Sequence, residues 1–147
     1  MLWSHGNIRA EIFTLDHCDP HVTFVCKPDR WTAKMEFSMV SPTFVNLVSI
    51  KPLINAPSTA LINALAAEVL SHLQLCRATW WKNHGSVCLD NKPVTQLAQS
   101  TVQLGSAGSG RLGRIVAGSG KYLGASDAVE ALIQWGDGSR SLATVGP

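Results

Sequence analysis

Apolar and polar residues alternate along the first third of the chain, the period of strands that bury one face. Ile8 to Phe13 alternates as I-R-A-E-I-F, and His21 to Cys26 reads as a second strand. The clearest alternation follows. Trp31, Ala33, Met35, Phe37 and Met39 share one face, while Thr32, Lys34, Glu36 and Ser38 share the other. Phe44 to Ile50 supplies one more strand. Residues 16–20 and 27–30 are turn-like by composition, and such short connections predict an antiparallel meander.

The period then changes. Leu61, Leu65, Val69, Leu73, Cys76 and Trp80 recur every three or four residues and mark one helical face. Pro57 and Ser58 suit the start of a helix, and Lys82, His84 and Gly85 suit its end. The pattern predicts one long helix from Ser58 to His84 covering the apolar face of the sheet. Trp31, Met35, Phe37, Leu61, Leu65, Val69 and Leu73 are expected to share its core.

Beyond the helix the pattern weakens, and residues 92–110 end in G-S-A-G-S-G, a linker by composition. Arg111 to Ala117 and Ala128 to Trp135 are strand candidates. The second runs into Gly136-Asp137-Gly138, a hairpin signal, with Ser139 to Val145 as the return strand. The expected fold class is α+β. An antiparallel sheet of three or four strands packed by one long helix occupies 1–91. A Gly/Ser-containing linker covers 92–110, and a small β module covers 111–147.

Composition sharpens this picture only in part. A hydrophobic share of 46% with 15% charge excludes a disordered chain. No apolar run approaches the ~20 residues that span a bilayer, and Met1 to Gly6 lacks the pattern of a signal peptide. A soluble, cytoplasmic protein without membrane partners is expected. The net charge of +2 is unevenly spread. Residues 1–91 balance, whereas Lys92, Arg111, Arg114, Lys121 and Arg140 face only Asp127, Glu130 and Asp137 in the remainder. That excess allows contact with a polyanion. Cys18, Cys26, Cys76 and Cys88 form no C-x-x-C pair, so they are expected as thiols, with neither structural zinc nor a disulfide.

The densest reactive stretch is Asp16 to Phe24, D-H-C-D-P-H-V-T-F. Imidazoles change charge near neutral pH, and His17 and His21 stand beside Asp16 and Asp19. Three uses are open. A metal site would need a third strong ligand that the spacing does not assign. Acid–base catalysis would pair the two histidines with an orienting carboxylate, with Arg9, Lys27 or Arg30 against phosphate charge. In the third use, turn side chains bind backbone groups and fix the strand that follows. Gly110-Arg111-Leu112-Gly113 lacks the spacing and Lys-Ser/Thr ending of a phosphate loop. Neither cofactor nor metal is expected.

Asp16, His17, Pro20 and His21, followed by a strand and a helix ending near Trp80 and Trp81, resemble a family of small uncharacterised bacterial proteins. Its members carry D-H-x-P-P-H-x-H before a strand. The likeness covers residues 8 to 90. Asp19 replaces the family's first proline, and Thr23 stands where its last histidine would be. The resemblance implies a toxin–antitoxin association. The last 37 residues, through R-L-G-R-I-V-A-G and A-L-I-Q-W-G-D-G-S-R-S, resemble a small SH3-like or Tudor-like module. Such modules bind peptides, nucleic acid or neighbouring domains.

The expected function is macromolecular binding or regulation. It would act through the His17/His21 motif and the basic C-terminal module, with Arg111, Arg114, Lys121, Tyr122, Trp135 and Arg140 as the contact residues. A protein is the first expected partner and nucleic acid the second. The competing expectation is a small toxin-like, metal-independent nuclease. It would use His17 and His21 as acid and base, supported by Asp16 and Asp19.

Overall fold

The computed structural model describes residues 1–147, which divide into two compact units, Met1–Asn83 and His84–Pro147. Strand accounts for 40% of the chain and helix for 17%. It is therefore mostly β rather than a sheet packed by one long helix.

The first unit is a five-stranded antiparallel meander in sequence order: β1 (Trp3–His5), β2 (Ile8–Glu11), β3 (His21–Cys26), β4 (Trp31–Phe37) and β5 (Val45–Lys51). Strands β2 to β5 fall where the alternation places them. The additional strand β1 is only three residues long, too short to show a period, and Gly6 at φ 55° turns it into β2. One sheet face is apolar. Ala10, Val22, Phe24, Ala33 and Met35 are wholly buried on it, and Trp31 and Phe37 nearly so.

Two helices stand in place of the expected single one: α1 (Thr59–Ser71) and α2 (Leu73–His84), bent by 73°. Ser58 caps α1, its hydroxyl accepting from the Leu61 amide at 3.1 Å. The break sits at His72, whose backbone leaves the helical region at φ −110° and ψ 21°. Side chains compete there for the Glu68 carbonyl. It accepts from the Ser71 hydroxyl at 3.0 Å and lies 2.8 Å from His72 Nδ1. Such back-bonding bends helices, and the apolar period runs through it undisturbed. Leu65 and Val69 of α1 and Leu73, Cys76 and Trp80 of α2 are all buried. Leu61 is only half-buried, one turn further out. Buried Arg77 donates to the carbonyls of Ser38 at 2.9 Å and Ser41 at 2.8 Å, binding α2 to the loop after β4. No single helix is long and apolar enough to cross a membrane.

The second unit has six strands: β6 (Pro93–Ala98), β7 (Thr101–Leu104), β8 (Leu112–Ile115), β9 (Lys121–Leu123), β10 (Ala128–Trp135) and β11 (Arg140–Gly146). Pairing in the order β11-β7-β6-β8-β10 returns to β11, closing a five-stranded barrel. Strand β9 adds to the free half of the β10 edge. The segment read as a linker supplies two barrel strands, leaving only residues 105–110 as connection before Arg111 and Leu112. β6 and β7 are rich in Thr and Gln, so their alternation is faint. Yet Val94 and Val102 are fully buried, and Thr95 is satisfied by donating to the Gly105 carbonyl at 2.9 Å. Closure pairs each of these five strands on both sides, which a lone hairpin could not achieve.

Cys26 and Cys76 are buried free thiols. Cys18 and Cys88 are each disulfide-bonded, against the expectation of four thiols.

Candidate functional site

The D-H-C-D-P-H stretch forms the corner that leads into β3, the central strand of the first sheet. Asp16 is fixed by its own turn, where its Oδ2 accepts from the Phe13 amide at 2.8 Å. His21 opens β3 opposite Glu36 of β4, and its ring is almost wholly buried at 3% exposure. Its Nδ1 lies 2.8 Å from the Asp19 carbonyl. A carbonyl only accepts, so this nitrogen carries a proton and is committed to the backbone. The other nitrogen, Nε2, is 3.3 Å from Asp16 Oδ1. At that separation the two atoms form no hydrogen bond. The ring also packs at a 58° tilt against Trp80 of α2, with centroids 5.4 Å apart.

His17 and Asp19, in contrast, are exposed. They border a shallow cleft of about 200 Å³ together with Asp16, His21, Lys34 and Glu36. The four predicted motif residues do come together, but they are not equivalent. His21 is a buried, backbone-bonded corner residue, whereas His17 is a surface residue. No group of three or more His, Cys, Asp or Glu side chains is arranged to hold a metal ion.

A larger cleft of about 700 Å³ lies on the barrel, over β8 and β10. Register explains its chemistry. Arg114 of β8 and Arg140 of β11 both pair with Gln134 of β10, one from each side. The three side chains form a row across adjacent strands, and all three are exposed. Arg140 donates to Gln134 Oε1 at 3.0 Å, and Arg114 donates to the Asn91 carbonyl at 3.0 Å. Both acceptors are neutral. The cleft lining contains these two arginines and no carboxylate.

Of the other expected contact residues, Trp135 lies beneath this surface. It is buried, with its indole N–H donating to the Ser141 hydroxyl at 2.8 Å. Arg111 covers its ring at 4.5 Å and donates to Asp137 at 2.8 Å, so its charge is answered. The Asp137 carboxyl is held below its ordinary range by the Ser139 hydroxyl and amide, and further by Arg111. Lys121 and Tyr122 lie apart from the cleft on β9. Lys121 stands opposite Glu130, and the Tyr122 hydroxyl donates to Asp127. Composition did not point to Gln134, although its place one residue before Trp135 in the hairpin arm is the signal that finds it.

No family model, curated protein or solved structure matches this chain.

Proposed function

We propose that the protein is a macromolecular binding or regulatory protein whose contact surface is the barrel cleft, and that its partner presents negative charge. One observation carries this reading. Arg114 and Arg140 flank Gln134 in a cleft that holds no carboxylate, so two exposed guanidinium groups are met only by neutral acceptors. Guanidinium forks are suited to carboxylate and phosphate oxygens. The nuclease alternative has less support. Acid–base catalysis needs both groups within reach of a substrate, and His21 is buried with Nδ1 bonded to its own turn.

The test uses the intact protein with labelled RNA, labelled DNA and polyglutamate, scoring retention and cleavage together. Retention of polyglutamate, with no turnover of either nucleic acid, is expected. It should weaken as salt rises and as Arg114 and Arg140 are replaced by alanine. Cleavage of either nucleic acid that disappears in His17→Ala would establish the enzyme instead.

A further inference from the structure

We infer that the Arg114–Gln134–Arg140 row takes an extended acidic peptide, seating an Asp or Glu carboxylate between flanking aliphatic side chains. This inference rests on the reading of the cleft as an anion-binding surface and names its occupant.

The row lies between apolar positions. Two residues along from it, Leu132 pairs with Leu142, and the Val116 amide donates to the Leu132 carbonyl at 2.9 Å. Leu142 is 59% exposed, and Leu112, two residues before Arg114, is 51% exposed. Large aliphatic side chains therefore stand in solvent on both sides of a line of N–H donors. Alternate residues of a strand are about 7 Å apart on one face. A peptide running along the strands would repeat that spacing. Its carboxylate would meet the two guanidiniums and the Gln134 amide, while aliphatic residues two positions before and after would cover Leu112 and the Leu132–Leu142 pair. A bidentate guanidinium grip on the carboxylate supplies direction, and the aliphatic contacts supply apolar burial.

The same surface is poorly made for nucleic acid. Single strands are held by stacking bases on aromatic rings, and no aromatic side chain is exposed in this cleft. Trp135 is 4% exposed and lies beneath Arg111. Duplex binding draws its affinity from many phosphate contacts, whereas only two arginines line this cleft.

The test is an amide chemical-shift titration of the full chain with a blocked peptide repeating Leu-Ser-Glu-Ser. Its Glu-to-Gln and Leu-to-Ser counterparts, a short oligothymidylate and a short oligouridylate form the other arms. The acidic aliphatic peptide is expected to shift the amides of Arg114, Gln134 and Arg140. Either peptide change, or the double variant Arg114→Gln/Arg140→Gln, should weaken binding about tenfold or more. The variant's unchanged spectrum elsewhere would show that the barrel remains folded. If an oligonucleotide shifts these amides at lower concentration than the peptide does, the peptide assignment falls while the anion-binding reading stands. If no anionic probe shifts them, both fall.

Discussion

Trp3 and His72 stack face to face, with ring centroids 4.2 Å apart and planes 7° from parallel. The shortest strand of the first sheet thus rests on the residue at which the helix bends. Glu68 completes the joint. Its carboxylate lies 2.8 Å from His5 Nδ1 and accepts from the Trp3 indole at 3.3 Å. Glu68→Ala should therefore lower unfolding free energy by about 1–3 kcal/mol, since two partners of a half-buried carboxylate lose their acceptor. Glu68→Gln, which keeps an acceptor oxygen, should lose less. Urea denaturation of the two variants gives the comparison, and equal loss would show that the joint contributes by shape alone.

Leu65 is wholly buried between the sheet and the first helix. Leu65→Ala is expected to destabilise the protein by about 2–5 kcal/mol. Leu61→Ala, one turn outward at a half-buried position, should cost clearly less. Matching losses for the two would contradict the inward face assigned to α1.

Periodicity made most of the first unit legible, because strands with one buried face and a helix with one buried stripe write their geometry into residue spacing. The helix break was not legible for the same reason: the apolar stripe from Leu61 to Trp80 continues through it. What bends the helix is a local contest for the Glu68 carbonyl by Ser71 and His72, which spacing cannot display. In the barrel, β8, β10 and β11 were legible from their apolar pattern and the Gly136-Asp137-Gly138 hairpin, whereas β6 and β7 were not. Strands β6 and β7 carry Thr and Gln and gain their role from the parallel pairing of β7 with β11, a contact distant in sequence. The motif corner was located correctly, but alternation alone could not show which histidine is buried. Charge singled out Arg114 and Arg140 in the sequence, and register places Gln134 between them.

The two motif histidines should separate cleanly in their effects. His21 packs on Trp80 and binds the Asp19 carbonyl, so His21→Ala should cost about 2–4 kcal/mol. His17 is exposed, and His17→Ala should stay within about 0.5 kcal/mol of the parent. Thermal melts of both variants decide the matter. A stable His21→Ala protein would remove the structural role assigned to that ring.

Burial pushes the Cys76 thiol from about 9 up to about 12. The sign follows from proton linkage. Between those values the unfolded chain has lost the thiol proton that the folded chain retains, so ionisation favours unfolding as pH rises. The stabilising contribution of the protonated, buried thiol is whole below about pH 9 and is lost progressively towards about 12. Native Cys76 should also resist alkylation at pH 8 and react only after denaturation, since the thiolate is the nucleophile. Peptide mapping after iodoacetamide treatment reads this directly, and rapid labelling of Cys76 in folded protein would overturn it.

Gly113 links barrel packing to the cleft above it. A Cβ at this position would lie 2.7 Å from Ile133 Cγ2 and 2.9 Å from both the Gln134 carbonyl oxygen and Trp135 Cε3. Ile133 and Trp135 are themselves buried, and the carbonyl belongs to the paired strand, so none of the three can yield without shifting β10 from β8. Gly113→Ala should therefore cost about 1–3 kcal/mol by overpacking. Because Gly113 stands between Leu112 and Arg114, the same shift would move the cleft walls and weaken peptide binding. Gly124→Ala is the matched control, as its Cβ would meet only Tyr122 at 4.0 Å. Calorimetry and the peptide titration, run on both variants, should show loss of stability and binding in the first and little change in the second. An unchanged melting temperature in Gly113→Ala would mean that the two strands have room the packing denies them.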